Sequence, residues 1–223
     1  MRAAAYRLQF PVVQTAIIEM YNPWSRSTIT LFGLLHQADA DYFRQMEAQV
    51  NRLTGRGITV LQENFTVDQS SFSEEVLKQW YEVLAMPELQ NGQSGQMHHF
   101  LPANTEPCDL ALSGDTRKTR KVMQVILDAA NDTEHKKTRA RKVFDALVLQ
   151  WLAGPMEFLS VTYRFLIGDR NRYVLGVVAE RQAAKPQDMG IVFGAAHING
   201  IMRGLRRMGY QQRQIRWLTA HTL

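Results

Sequence analysis

A chain of 223 residues, 45% hydrophobic and 21% charged, suits one domain with a full core and excludes disorder or low complexity as a description of the whole. The formal charge of +5 comes largely from basic clusters at Arg117 to Lys142 and Arg203 to Arg216; with no interleaved aromatics and no nucleic-acid motif they read as solvated helix faces, which disfavours a nucleic-acid partner. The single cysteine, Cys108, excludes an internal disulfide and a thiolate metal cage.

No apolar run reaches the ~20 residues that span a bilayer, and Met1 to Phe10 lacks the pattern of a signal peptide, so a cytoplasmic home is expected. Val13 to Glu19 and Ser27 to Leu35 are rich in β-branched and aliphatic residues and are separated by the turn signal Asn22-Pro23, which predicts a hairpin or adjacent strands. The second strand runs into Gly33-Leu34-Leu35-His36. Tyr42, Phe43, Met46, Val50 and Leu53 then recur at helical spacing, with Asp39 and Asp41 at the helix start and Gly55-Arg56-Gly57 at its end. Ile58 to Leu61 is the next apolar run, ending at Gln62-Glu63. A strand, helix, strand crossover of this length is parallel by default; it makes this strand the neighbour of the first and puts Glu63 at the sheet edge that carries His36.

Ser73 to Met86 reads as a helix ended by Pro87, and Glu88 to Asp115 as a long loop carrying His98, His99 and Asp109. Thr116 to Asn131 and Lys136 to Leu152 are two further helical patterns. Phe158 to Arg181 is a third, interrupted by the charged cluster Gly168-Asp169-Arg170-Asn171-Arg172. After a turn at Pro186 to Gly190, the strand Ile191 to Phe193 enters Gly194-Ala195-Ala196-His197. Asn199 opens a helix through Ile201, Leu205 and Met208 that ends at Gly209, and Arg213 to Leu218 is a short edge strand. The expected fold is α/β: a central mixed, mainly parallel sheet flanked by helices, with a helical insertion at about 73–185 between the two G-x-x-H halves, all in one domain.

A strand that runs into G-x-x-H and then a helix delivers an imidazole to the carboxyl edge of a sheet, where open α/β proteins bind ligands. His36 and His197, with Glu63, form a donor set for a divalent metal that keeps open positions for water. The same residues also permit a metal-free route, in which one histidine is the general base on water, held in its tautomer by Glu63, and Arg170 stabilises the oxyanion. Both routes stay open on the residues alone. Asp169 and Arg170 read equally well as a local ion pair, while His98, His99, Asp109, Asp115 and Cys108 are weaker candidates. No G-x-S-x-G, P-loop, H-E-x-x-H or dinucleotide fingerprint occurs, which disfavours serine hydrolases, NTPases and Rossmann dehydrogenases.

Taken in order, Thr28 to His36, the strand ending in Glu63, Asp169-Arg170-Asn171-Arg172-Tyr173 and Val192 to Ile201 resemble the TraB/PrgY/Tiki family, which belongs with the erythromycin-esterase and ChaN-like proteins. The resemblance spans about Ser27 to Leu218. It implies a shared site of His36, His197 and Glu63, with Arg170 as the arginine of the E-R-[DN] motif. It also implies, from the Tiki branch, a metal-dependent peptidase using manganese or cobalt; zinc suits the same donors. Leu34 stands where a small polar residue is common, Ala196 replaces a frequent glycine and Asp169 replaces glutamate. The expectation is a hydrolase, divalent-metal-dependent, that cleaves a peptide or related amide or ester bond. The alternative is a non-catalytic regulatory protein that binds a small ligand or peptide in the same pocket. Homo-oligomerisation is left open.

Overall fold

The computed structural model describes residues 6–9, 12–35, 38–63, 105–109 and 167–222. In chain order these form β1 (Tyr6–Gln9), β2 (Val12–Asn22), β3 (Ser27–Leu34), α1 (Ala40–Thr54), β4 (Thr59–Gln62), β5 (Glu106–Pro107), α2 (Asp169–Ala184), β6 (Met189–Gly194), α3 (Ala195–Arg207) and β7 (Gln211–Thr222). The expected helices at 73–86, 116–131 and 136–152, and His98, His99 and Asp115, lie outside the described residues.

The strands join in one mixed sheet, so the fold is α/β. Residues 12–15 of β2 pair with β1 on one edge and with β7 on the other, and residues 17–21 pair with both β3 and β7. A strand has two edges only, so β1 and β3 share one edge of β2 at its two ends, and β7 runs along the whole of the other. Beyond β3 the order is β6, β4, β5, all parallel. Three of the six pairings are therefore antiparallel, and the sheet is less parallel than the sequence predicts.

β6 stands between β3 and β4: Ile191 pairs with Leu31 on one side and Leu61 on the other. The predicted adjacency of β3 and β4 is thus corrected. The reason lies in composition, since every residue of β6 is buried and such a strand belongs where both faces and both edges are covered. The three carboxyl ends still share one edge. Three smaller differences accompany this one. Glu106–Pro107, expected in a loop, extends the sheet beside β4; Asn199 sits inside α3 and does not open it; and β7 is longer than the short edge strand expected.

Each sheet face carries its own core. Tyr42, Met46 and Val50 of α1 recur at i+4 and pack on Phe32, Leu34, Val60 and Val192. On the other face Val174 and Val178 of α2 and Ile198, Ile201 and Leu205 of α3 pack on Ile29, Leu31, Ile191 and Phe193. Alternation along β3 and β6 sends successive side chains to opposite cores. Gly209, with φ 91, makes the reversal from α3 into β7.

Candidate active site

The carboxyl edge gathers Glu63, Arg170, Asn171 and His197, each at most 7% exposed. Glu63 comes first because β4 pairing continues one step past the strand, its N–H donating to the Val192 carbonyl at 2.8 Å. Its carboxylate then accepts the Gly194 N–H at 2.5 Å and the Arg170 Nη2 at 2.5 Å. Gly194 is the residue before α3, so Glu63 supplies the anion that a helix N-terminus favours, and α3 has no acidic residue of its own in its first turn.

Arg170 lies in the first turn of α2 and is the hub. Its Nε donates to Asp109 Oδ1 at 2.8 Å and its Nη2 to Asp109 Oδ2, besides the bond to Glu63. Asp109 reaches it because the chain after β5 stays on the sheet, with Cys108 N–H donating to the Gln62 carbonyl at 2.8 Å. Burial opposes the guanidinium charge, but Glu63 and Asp109 outweigh it and hold the group above its already high ordinary value. Asp169, one residue back, pairs with Arg172 on the surface and not with Arg170.

His197 is in the first turn of α3. Arginine only donates, so Arg170 Nη1, 3.3 Å from His197 Nε2, makes Nε2 the acceptor and leaves the ring proton on Nδ1. Asn171 Oδ1 accepts that proton at 2.8 Å, while Asn171 Nδ2 donates to the His197 carbonyl at 3.4 Å. Asn171, not Glu63 as the sequence reading has it, therefore sets the tautomer; Glu63 Oε1 lies 3.6 Å from the other nitrogen. The Phe193 ring meets the imidazole edge to face at 5.4 Å.

Asn171 can approach because α3 presents glycine: a Cβ on Gly200 would overlap Asn171 Nδ2, and a Cβ on Gly204 would overlap Leu175. Asn171 and Leu175, four residues apart on α2, thus sit on Gly200 and Gly204, four apart on α3.

No family model, curated protein or solved structure matches the chain. The chemistry rests on the residues themselves.

A divalent ion needs several lone pairs aimed at one point. Here Glu63 gives one oxygen to Arg170 and the other to Gly194, both oxygens of Asp109 go to Arg170, and His197 Nε2 faces Arg170 Nη1. Among the described residues no three His, Cys, Asp or Glu side chains gather as metal ligands. These donors are arranged around a guanidinium and do not fit a dication as they stand. His36, the other expected ligand, lies outside the described residues.

Two contributors escape the sequence reading, and Asp109, one of its weaker candidates, takes a larger part than expected. Asn171 adjoins Arg170 in the charged cluster, a signal that was present. Tyr42, read as one more core residue, is fully buried, and its hydroxyl accepts the Leu35 N–H at 3.2 Å and the Thr15 hydroxyl at 3.1 Å while donating to the Gly33 carbonyl at 2.9 Å. It fastens the backbone of the first G-x-x-H turn. Cys108 is buried, and burial aided by the Asp109 charge pushes its thiol up to about 11, which makes it a poor nucleophile near neutrality.

Proposed function

We propose that the chain is a hydrolase that cleaves a peptide or related amide or ester bond at the carboxyl edge of the sheet, with His197 as general base. The observation that supports this is the placing of the imidazole, with Nδ1 2.8 Å from Asn171 Oδ1 and Nε2 beside Arg170 and Glu63, which suits a neutral ring. In the reaction water takes the place of Arg170 Nη1 at Nε2, a contact of 3.3 Å that is at the long end for a hydrogen bond. Nε2 takes a proton from water as the water oxygen attacks the carbonyl carbon. The imidazolium returns it to the leaving nitrogen or oxygen as the C–N or C–O bond breaks. Glu63, 3.6 Å away, stabilises the imidazolium between those steps. Arg170 acts as a positioning residue, since Nε and Nη2 are engaged by carboxylates. A divalent metal held by His36, Glu63 and His197 is the alternative form of this reading, in which His197 would bind the ion instead of the proton and Glu63 and His197 would exchange their contacts with Arg170. This form and a cytoplasmic location rest on the TraB/PrgY/Tiki resemblance and sequence pattern alone.

The second reading is a non-catalytic protein that holds a small ligand or peptide at the same edge, favoured by the mutual saturation of Glu63, Asp109 and Arg170. One experiment separates them. Protein purified without a chelating tag is assayed on panels of peptides and esters, with and without added divalent metal, alongside His197→Gln. The hydrolase predicts turnover that falls by about 10²–10⁴-fold in His197→Gln, with the circular dichroism and melting profile retained. Full activity in that variant contradicts it, and a stabilising ligand recovered unchanged favours the binding protein. Stoichiometric metal in the purified protein would support the metal-dependent form; turnover undiminished by a chelator would support the imidazole alone.

A further inference from the structure

On the α1 face of the sheet, away from the carboxyl edge, the packing opens into a hollow of about 210 Å³ between the last turns of α1 and strands β2, β3 and β7. Arg52 of α1, Arg56 in the turn that follows the helix and Arg216 of β7 line it, with Glu19 as the one acidic residue among its lining groups. The lining therefore carries three positive charges and one negative, an excess of +2.

The cations differ in how they are held. Arg216 is braced, its Nη1 donating to Gln49 Oε1 at 3.2 Å and its Nη2 reaching Glu19 Oε1 at 3.5 Å. The side chains of Arg52 and Arg56 make no hydrogen bond or ion pair among the described residues. The floor includes Thr30, 7% exposed, whose hydroxyl also makes no hydrogen bond among the described residues. A buried hydroxyl left without a partner is costly, and one that faces a polar hollow is satisfied by whatever fills it.

The negative end of α1, which opposes an anion, is blunted at this point. Its last carbonyls are capped by the chain that follows, Asn51 by Gly55 N–H, Leu53 by Arg56 and Ile58 N–H and Thr54 by Gly57 N–H. We propose that the hollow is a seat for a single phosphoryl group, inorganic or borne by a small molecule, clamped by Arg52, Arg56 and Arg216 and accepting the Thr30 hydroxyl. A dianion matches the excess charge, three guanidinium forks match its oxygens, and the volume holds one such group with room for water or a small substituent. A polyanion such as RNA would need a track of cations; here they converge on one hollow. The seat is independent of the chemistry proposed for His197.

Titration calorimetry of the full chain with inorganic phosphate tests this at constant ionic strength, with chloride as the reference anion and a small phosphate monoester as a second probe. The expected result is saturable phosphate binding, weakened about tenfold or more in the Arg52→Ala/Arg56→Ala double variant and measurably in Thr30→Val. Tighter binding of the monoester than of phosphate assigns the seat to a phosphorylated small molecule, and equal binding assigns it to free phosphate. Phosphate held no more tightly than chloride overturns the proposal. So does equal affinity in wild type and the double variant, whose exposed positions leave the fold intact, or RNA binding that phosphate fails to displace.

Discussion

Gly194 passes directly from β6 into α3, so His197 rides in the first turn of a helix; Leu34 ends β3, but α1 begins only at Ala40. The two G-x-x-H turns also differ in what fastens them. The second is held by charge, with the Gly194 N–H on the Glu63 carboxylate and that carboxylate on Arg170. The first is held by a neutral phenol, Tyr42, which ties Gly33 to Leu35. Like sequences thus end strands alike but do not start helices alike.

The sharpest way to break the charged half of this comparison is to remove its cation. Arg170→Met leaves Glu63 and Asp109 buried without their partner, and a loss of about 3–5 kcal/mol is expected in denaturant unfolding. A loss below 1 kcal/mol would mean that these carboxylates do not depend on the guanidinium.

The neutral half predicts a smaller effect with a different pH signature. Tyr42→Phe removes the one group that serves Gly33, Leu35 and Thr15, at a cost of about 1–3 kcal/mol. Burial pushes the Tyr42 hydroxyl up to about 12 from its ordinary 10. A tyrosine raised in the folded state keeps its proton there after the unfolded chain has lost it, so its contribution is complete below pH 10 and is lost as pH rises towards about 12. That loss is about 2–3 kcal/mol. Unfolding measured from pH 9 to 12 is expected to show a steeper decline in wild type than in Tyr42→Phe; parallel declines would contradict it.

The smallest effect is reserved for the pair beside the hub. Asp169 and Arg172 form an exposed ion pair, and Arg172→Ala is expected to change stability by less than about 1 kcal/mol. An effect as large as that at Arg170 would erase the distinction between the buried and the surface members of the charged cluster.

Much of the fold was legible in the sequence because periodicity is local. The β2–β3 hairpin, α1, β4, β6 and α3 fall where alternation and helical spacing put them. The insertion of β6 between β3 and β4 was not legible, since strand order depends on which strand has both faces to bury, a comparison across the whole chain. The candidate site divides the same way. Glu63, Arg170 and His197 stood out by residue type and position at predicted strand or helix ends. Their pairings span 107 residues for Glu63 with Arg170 and 61 for Arg170 with Asp109, and nothing in the local pattern around Asp109 announces its partner. Asn171 was hidden for another reason: its role depends on Gly200, whose missing side chain lets α2 close on α3.

Nitrogen-15 NMR of His197 at neutral pH reads the state of the imidazole directly. The expected spectrum has a protonated, pyrrole-like Nδ1 and an unprotonated, pyridine-like Nε2, with the Nδ1 preference weakened in Asn171→Ala. A proton on Nε2, or a doubly protonated ring, in the wild-type protein would contradict it.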